Sequence, residues 1–166
     1  MNNEKDNVYD LVEDFYAHDE GWNTLLRQEY AEGFLRMEAW KGKKNSDLYR
    51  SWDNLTMLCL YLGSAETFLG DMNADDFIDC IAWCGRNISE FTPDYKNTQD
   101  FLETCDGLFK YLKGKNAISN DTVPATAAEI LLQEGKMNII LPDGSFDEAN
   151  AERAWNATPD IPAKIF

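Results

Sequence analysis

Apolar residues recur every three or four positions along most of this chain, and the recurrence predicts a series of amphipathic helices. Val8, Leu11, Val12, Phe15 and Tyr16 mark a first helix over 6–17. Trp22, Leu25, Leu26, Tyr30, Phe34 and Met37 continue the pattern into a second that reaches Trp40. Lys41-Gly42-Lys43-Lys44-Asn45 then ends it, with glycine where a C-terminal cap belongs and cations beside the last carbonyls. Ser46 is the expected N-cap of a third helix running to Leu62, with Tyr49, Trp52, Leu55, Cys59 and Leu62 on its buried stripe and Gly63-Ser64 as its breaker.

A short turn carrying Phe68 and Leu69 leads to Asn73, the expected cap of a fourth helix. Asp75 and Asp76 fall in its first turn, where the helix dipole favours carboxylates. Phe77, Ile78, Ile81 and Cys84 form its apolar face, and Gly85 lies near its end. Thr92-Pro93-Asp94 opens a fifth helix, with Thr92 as cap and Pro93 in the first helical position. Its face is Phe101, Leu102, Cys105, Leu108, Phe109 and Leu112, and Gly114 is its stop. After Pro124 a short helix over 125–134 closes at Gly135. Met137 to Leu141 then reads as a strand, and Pro142-Asp143-Gly144 as a turn, a pattern that allows a short β-hairpin near 137–146. Asp147 can cap a last helix to Ala157.

The predicted fold is therefore all-α: a compact bundle of five to seven helices over 1–124, with a small helical and irregular C-terminal extension over 125–166 packed on it. Trp52 and Phe109 sit mid-helix on the densest stripes, so both are expected buried and in mutual contact.

Composition narrows the class. A chain of 166 residues with 44% hydrophobic content can bury a real core as one domain. No apolar run approaches the roughly 20 residues that span a bilayer, so no membrane association is predicted. The polar, acidic opening Met-Asn-Asn-Glu-Lys-Asp reads as no export signal, which predicts a cytoplasmic protein. Cys59, Cys80, Cys84 and Cys105 each lie among apolar neighbours and are expected to be free, buried thiols.

Net charge is −15, unevenly placed. Residues 51–109 hold eleven acids against two bases, Arg86 and Lys96. Cations gather in two candidate patches: Arg36, Lys41, Lys43, Lys44 and Arg50, then Lys110, Lys113 and Lys115. Binding to a phosphate backbone is driven by cations that release counterions, so a field this negative disfavours nucleic acid as a partner. Solvated turns between helices are the simpler account of both patches.

Candidate chemistry is sparse. His18 is the sole histidine, with Asp14 one helical turn before it and Glu20 and Glu29 further along, and no Glu-x-x-His pair accompanies it. Asp75, Asp76 and Asp79 lack the rest of a calcium loop. Cys80 and Cys84 lie one turn apart, without the further ligands zinc requires. Phosphate-binding, dinucleotide-binding and nucleophile-elbow glycine patterns are absent. The sequence thus predicts no enzyme, no metal, no cofactor and no small-molecule ligand.

Between Ser46 and Pro124 the apolar rhythm resembles the core-binding, SAM-like N-terminal domain of tyrosine recombinases and phage integrases. Ser46, Trp52, Leu55, Cys59, Tyr61 and Leu62 are similar to that family's serine-started helix. Leu69, Met72, Asp75, Asp76, Phe77 and Ile78 resemble the entry to its next helix, and Phe101, Leu102, Leu108, Phe109, Leu112, Ile118, Asp121 and Pro124 its closing helix and exit. About half of the chain is covered, by apolar rhythm alone. The resemblance implies a helical fold and an association with DNA. The cationic helices with which that family clasps DNA are replaced here by acidic ones, and its catalytic arginines, histidine and tyrosine have no match. The leading expectation is a non-enzymatic acidic interaction or regulatory protein, partnered by a basic or DNA-binding protein or by a second copy. The alternative is a nucleic-acid-associated module of the recombinase kind without its catalytic domain.

Overall fold

Six α-helices and one 3-10 turn follow one another in a computed structural model that describes residues 7–18 and 26–133. They are α1 (Val8–His18), α2 (Gln28–Trp40), α3 (Asn45–Ala65), α4 (Ala74–Asn87), α5 (Tyr95–Gly114) and α6 (Val123–Gln133), with the 3-10 turn at Leu69–Asp71. The all-α bundle expected from periodicity is the observed architecture. Trp22, Leu25, the 137–146 hairpin and the helix begun at Asp147 lie outside the described residues.

Helix ends show where local chemistry decides. Gly42 takes a left-handed φ of 91° after α2. Its N–H reaches the Ala39 carbonyl at 3.0 Å while the Lys43 N–H reaches Glu38 at 3.2 Å, closing a Schellman turn. Asn73 caps α4 as expected: its side chain accepts from the Asp76 N–H at 2.9 Å, and the Asp76 carboxylate accepts from the Asn73 N–H at 2.8 Å.

Three expected boundaries move. Ser46 is not the cap of α3; Lys44 is extended after the Schellman turn and the helix starts at Asn45. Gly63-Ser64 does not break α3, which continues to Ala65 because the reversal is made by Glu66 at φ 54° and a bond from the Thr67 N–H to Leu62 at 3.2 Å. Thr92 does not cap α5. The Asp94 carboxylate does, accepting from the Asn97 N–H at 2.8 Å, while the Thr92 carbonyl accepts from the Asn97 side chain at 2.9 Å and Pro93 stays outside the helix.

The core lies where α3, α4 and α5 meet, with Leu55, Leu58, Leu62, Phe77, Ile81, Trp83, Phe101 and Phe109 essentially fully buried. Each such side chain contributes about 1.5–3 kcal/mol over an exposed one. α4 is buried on more sides than a one-face stripe implies, since Cys80, Ala82 and Trp83 are covered as well. α3 and α6 both pack on α4, with Trp83 meeting Tyr61 of α3 and α6 burying Ala127 and Leu131 in the same core. The boundary expected at 124 falls in the first turn of this helix, where Pro124 is tolerated because no intrahelical N–H is needed there.

α1 packs on α2 and α3. Phe15 meets Trp52 edge to face, ring centroids 5.3 Å apart, and the Tyr16 hydroxyl donates to the Leu26 carbonyl. Trp52 and Phe109 are both buried, at 7% and 1% exposure. Their edge-to-face partners differ: Phe15 for Trp52, and Phe77 of α4 for Phe109 at 5.4 Å.

Candidate binding cleft

The N-terminal half of α3 turns one side to the core and a flank to the gap between α1 and the connection from α4 to α5. Because α4 ends at Asn87 and α5 begins only at Tyr95, residues 88–94 form an irregular rim rather than a packed helix. The resulting cleft, about 720 Å³, lies within the range of small-ligand pockets. Leu11, Phe15, Trp52, Met57, Ile88 and Phe91 supply its apolar surface.

Its polar lining has a one-sided chemistry. Asp14, Asp53, Glu90 and Asp100 contribute four carboxylates against one cation, Arg50. Arg50 is engaged with Asp100 at 3.2 Å, so that pair is locally neutral. Asp14, Asp53 and Glu90 have no cationic partner among the described residues. Partial desolvation at the cleft wall pushes the solvent-exposed Asp53 carboxyl above its ordinary range, and the neighbouring Glu90 charge adds to the rise.

Several lining donors are already committed to protein acceptors. The Asn54 amide donates to Thr104 Oγ1 at 3.0 Å and to the Asp100 carbonyl at 3.4 Å, the Thr56 hydroxyl donates to the Trp52 carbonyl at 3.0 Å, and the Asn97 amide holds Thr92. Asn54 is only 5% exposed, yet its amide oxygen accepts from no described donor. The cleft therefore offers carboxylates and an amide oxygen beside aromatic rings, a combination suited to an amphipathic cation.

The eight cations singled out in the sequence occupy the α2–α3 junction and the end of α5, and six of them face an acid or a ring. The Arg36 guanidinium lies over the Tyr9 ring at 4.2 Å, and Lys43 reaches Glu38 at 3.3 Å and Ser51 at 3.2 Å. Lys110 pairs with Asp106, Lys113 with Asp121 at 3.5 Å, and Lys115 sits over Tyr111 at 5.6 Å. Arg50 makes the sixth, and Lys41 and Lys44 are exposed beside the Gly42 turn.

The other candidates carry less. Asp76 serves the α4 cap, and no group of three or more His, Cys, Asp or Glu side chains among the described residues could hold a metal. The His18 side chain lies outside the described residues. All four thiols are free and buried. No motif pointed to Asp53, Asn54 or Glu90; their importance comes from α1 and the 88–94 rim closing around α3, which no local pattern encodes. No protein-family model, curated protein or solved structure matches this chain.

Proposed function

We propose that this protein is a non-enzymatic interaction or regulatory protein that holds a basic partner protein through the cleft between α1, α3 and the 88–94 rim. The observation that carries the reading is the set of three carboxylates, Asp14, Asp53 and Glu90, with no cationic partner among the described residues, beside the rings of Phe15, Trp52 and Phe91. Like charges gathered at a partly closed surface repel one another, and a partner that brings positive charge relieves the repulsion. The −15 net charge extends the same preference over a longer range and steers basic partners toward the surface. A DNA-binding protein is one such partner, with its basic face occupied in place of DNA. The nucleic-acid-associated alternative has weaker support, because most cations of both patches already face a local acid or ring.

Paired baits test the proposal. The full chain and an Asp53→Lys/Glu90→Lys variant are immobilised against extract of the source cell and eluted with a salt gradient. A basic protein retained by the parent and lost by the variant is expected. Equal recovery on both baits, or retention of acidic proteins, overturns the reading.

A further inference from the structure

The cleft's chemistry is more selective than a general attraction for positive charge. Its apolar surface includes an edge-to-face pair, Phe15 and Trp52, with ring planes 85° apart. A cation on this surface meets aromatic rings and carboxylates together. The nearly buried Asn54 adds an amide oxygen with no described donor, so the lining offers an unoccupied acceptor beside its charges. A lysine ammonium is a compact, strongly hydrated point charge that satisfies few separated acceptors at once. A guanidinium is planar and weakly hydrated; it stacks on a ring and directs several N–H groups outward in its own plane.

We propose that the cleft takes an arginine side chain presented by a peptide segment of the partner, its guanidinium against the Phe15–Trp52 pair and its N–H groups shared among Asp53, Glu90 and the Asn54 oxygen. The assignment rests on the partner being a basic protein, as proposed above. Arg50 does not fill this place itself, being held by Asp100 at 3.2 Å. A volume of about 720 Å³ exceeds the needs of one side chain, so the apolar residues flanking the arginine enter with it and meet Met57, Ile88 and Phe91.

Calorimetric titration of the full chain with acetyl-Leu-Arg-Leu-amide, its lysine analogue and its citrulline analogue at low salt tests the assignment. The arginine peptide is expected to bind at least tenfold more tightly than the lysine peptide. Citrulline keeps the shape of arginine without its charge and is expected to show no binding. The Asp53→Asn/Glu90→Gln double variant alters two exposed carboxylates, so it should stay folded by circular dichroism while losing at least tenfold in affinity. Lysine bound as well as arginine, citrulline bound at all comparably, or an unaffected double variant overturns the proposal. So does free agmatine bound as tightly as the peptide, since the cleft would then serve a small amine. Retention of a basic protein on the parent bait together with no arginine preference leaves the partner reading standing and removes this one.

Discussion

Pro93 lies so close against Gly85 that a β-carbon on Gly85 would stand 2.6 Å from the proline Cγ and 2.9 Å from its Cδ. A glycine inside a helix costs about 1 kcal/mol relative to alanine, and this approach is what alanine would forbid. The neighbour is a buried ring with no rotamer to escape into. Gly85→Ala should therefore push the 88–94 connection outward and destabilise the fold by about 1–3 kcal/mol in spite of its better helix propensity. Urea denaturation measures this, and a variant as stable as the parent would contradict it. Because Glu90 and Phe91 lie just before Pro93, cationic peptides should also bind the variant more weakly.

Burial makes a second prediction through the thiols. It pushes Cys59 up to about 12 and raises Cys80 and Cys105 well above the ordinary thiol range, with neighbouring thiols and, for Cys80 and Cys105, nearby carboxylates adding to the latter two. The folded chain then keeps protons that the unfolded chain releases near pH 9. Stability is unaffected below that point and falls above it, by up to about 4 kcal/mol per pH unit if the three thiols act together. Tyr16 and Tyr61, also raised chiefly by burial, act in the same direction at higher pH. The urea midpoint should be level from pH 6 to 8 and drop steeply by pH 10, whereas a midpoint unchanged at pH 10 would refute the account. An aromatic disulfide reagent at pH 8 should react slowly with native protein and reach all four cysteines once guanidinium unfolds it.

The helices were legible because each is long enough for its apolar period to repeat. α3 and α5 show Trp52, Leu55 and Leu62, and Phe101, Leu108 and Phe109, at the spacing that buries them. Boundaries were less legible, because several residues can each end a helix and tertiary placement decides which one does. Asp94, not Thr92, caps α5, and Glu66 takes a left-handed turn that Gly63 had the freedom to take. The cleft was not legible. Asp14, Asp53 and Glu90 are far apart in the chain, and each alone reads as an ordinary surface acid.

Two aromatic pairs join different elements of the bundle. Phe109 is held against Phe77 at the α4–α5 contact, whereas Trp52 joins α3 to α1 through Phe15. Phe109→Ala should cost about 3–5 kcal/mol and lower the midpoint of the whole transition. Trp52→Ala falls in the same class by size, yet it also removes the ring that holds Phe15. Hydrogen exchange should accordingly show α1 losing protection before α4 and α5 in this variant. Equal loss of protection across all helices would show that α1 is not the separable element.

Asp53 connects the cleft to stability, and the sign of its effect is a further test. The folded state holds this carboxyl above its ordinary value of 3.8, first by partial desolvation at the cleft wall and then by Glu90. The ionised form is thus less favourable in the folded chain than in the unfolded one, which is a standing destabilisation at neutral pH. As pH falls through the raised value the folded chain takes up the proton more readily, and the penalty disappears. Asp53→Asn should therefore raise the melting temperature at pH 7, with the difference from the parent closing toward pH 3. Asp100, held by Arg50 at 3.2 Å, provides the contrast, since Asp100→Asn should lower it. A carboxylate kept where it opposes folding is expected at a binding site, where a ligand's charge offsets what the fold does not. The arginine peptide should consequently raise the melting temperature of the parent more than that of Asp53→Asn. A parent and variant that melt alike at pH 7, or a variant that melts lower, would show that Asp53 is an ordinary surface acid and that the cleft holds no stored preference for a cation.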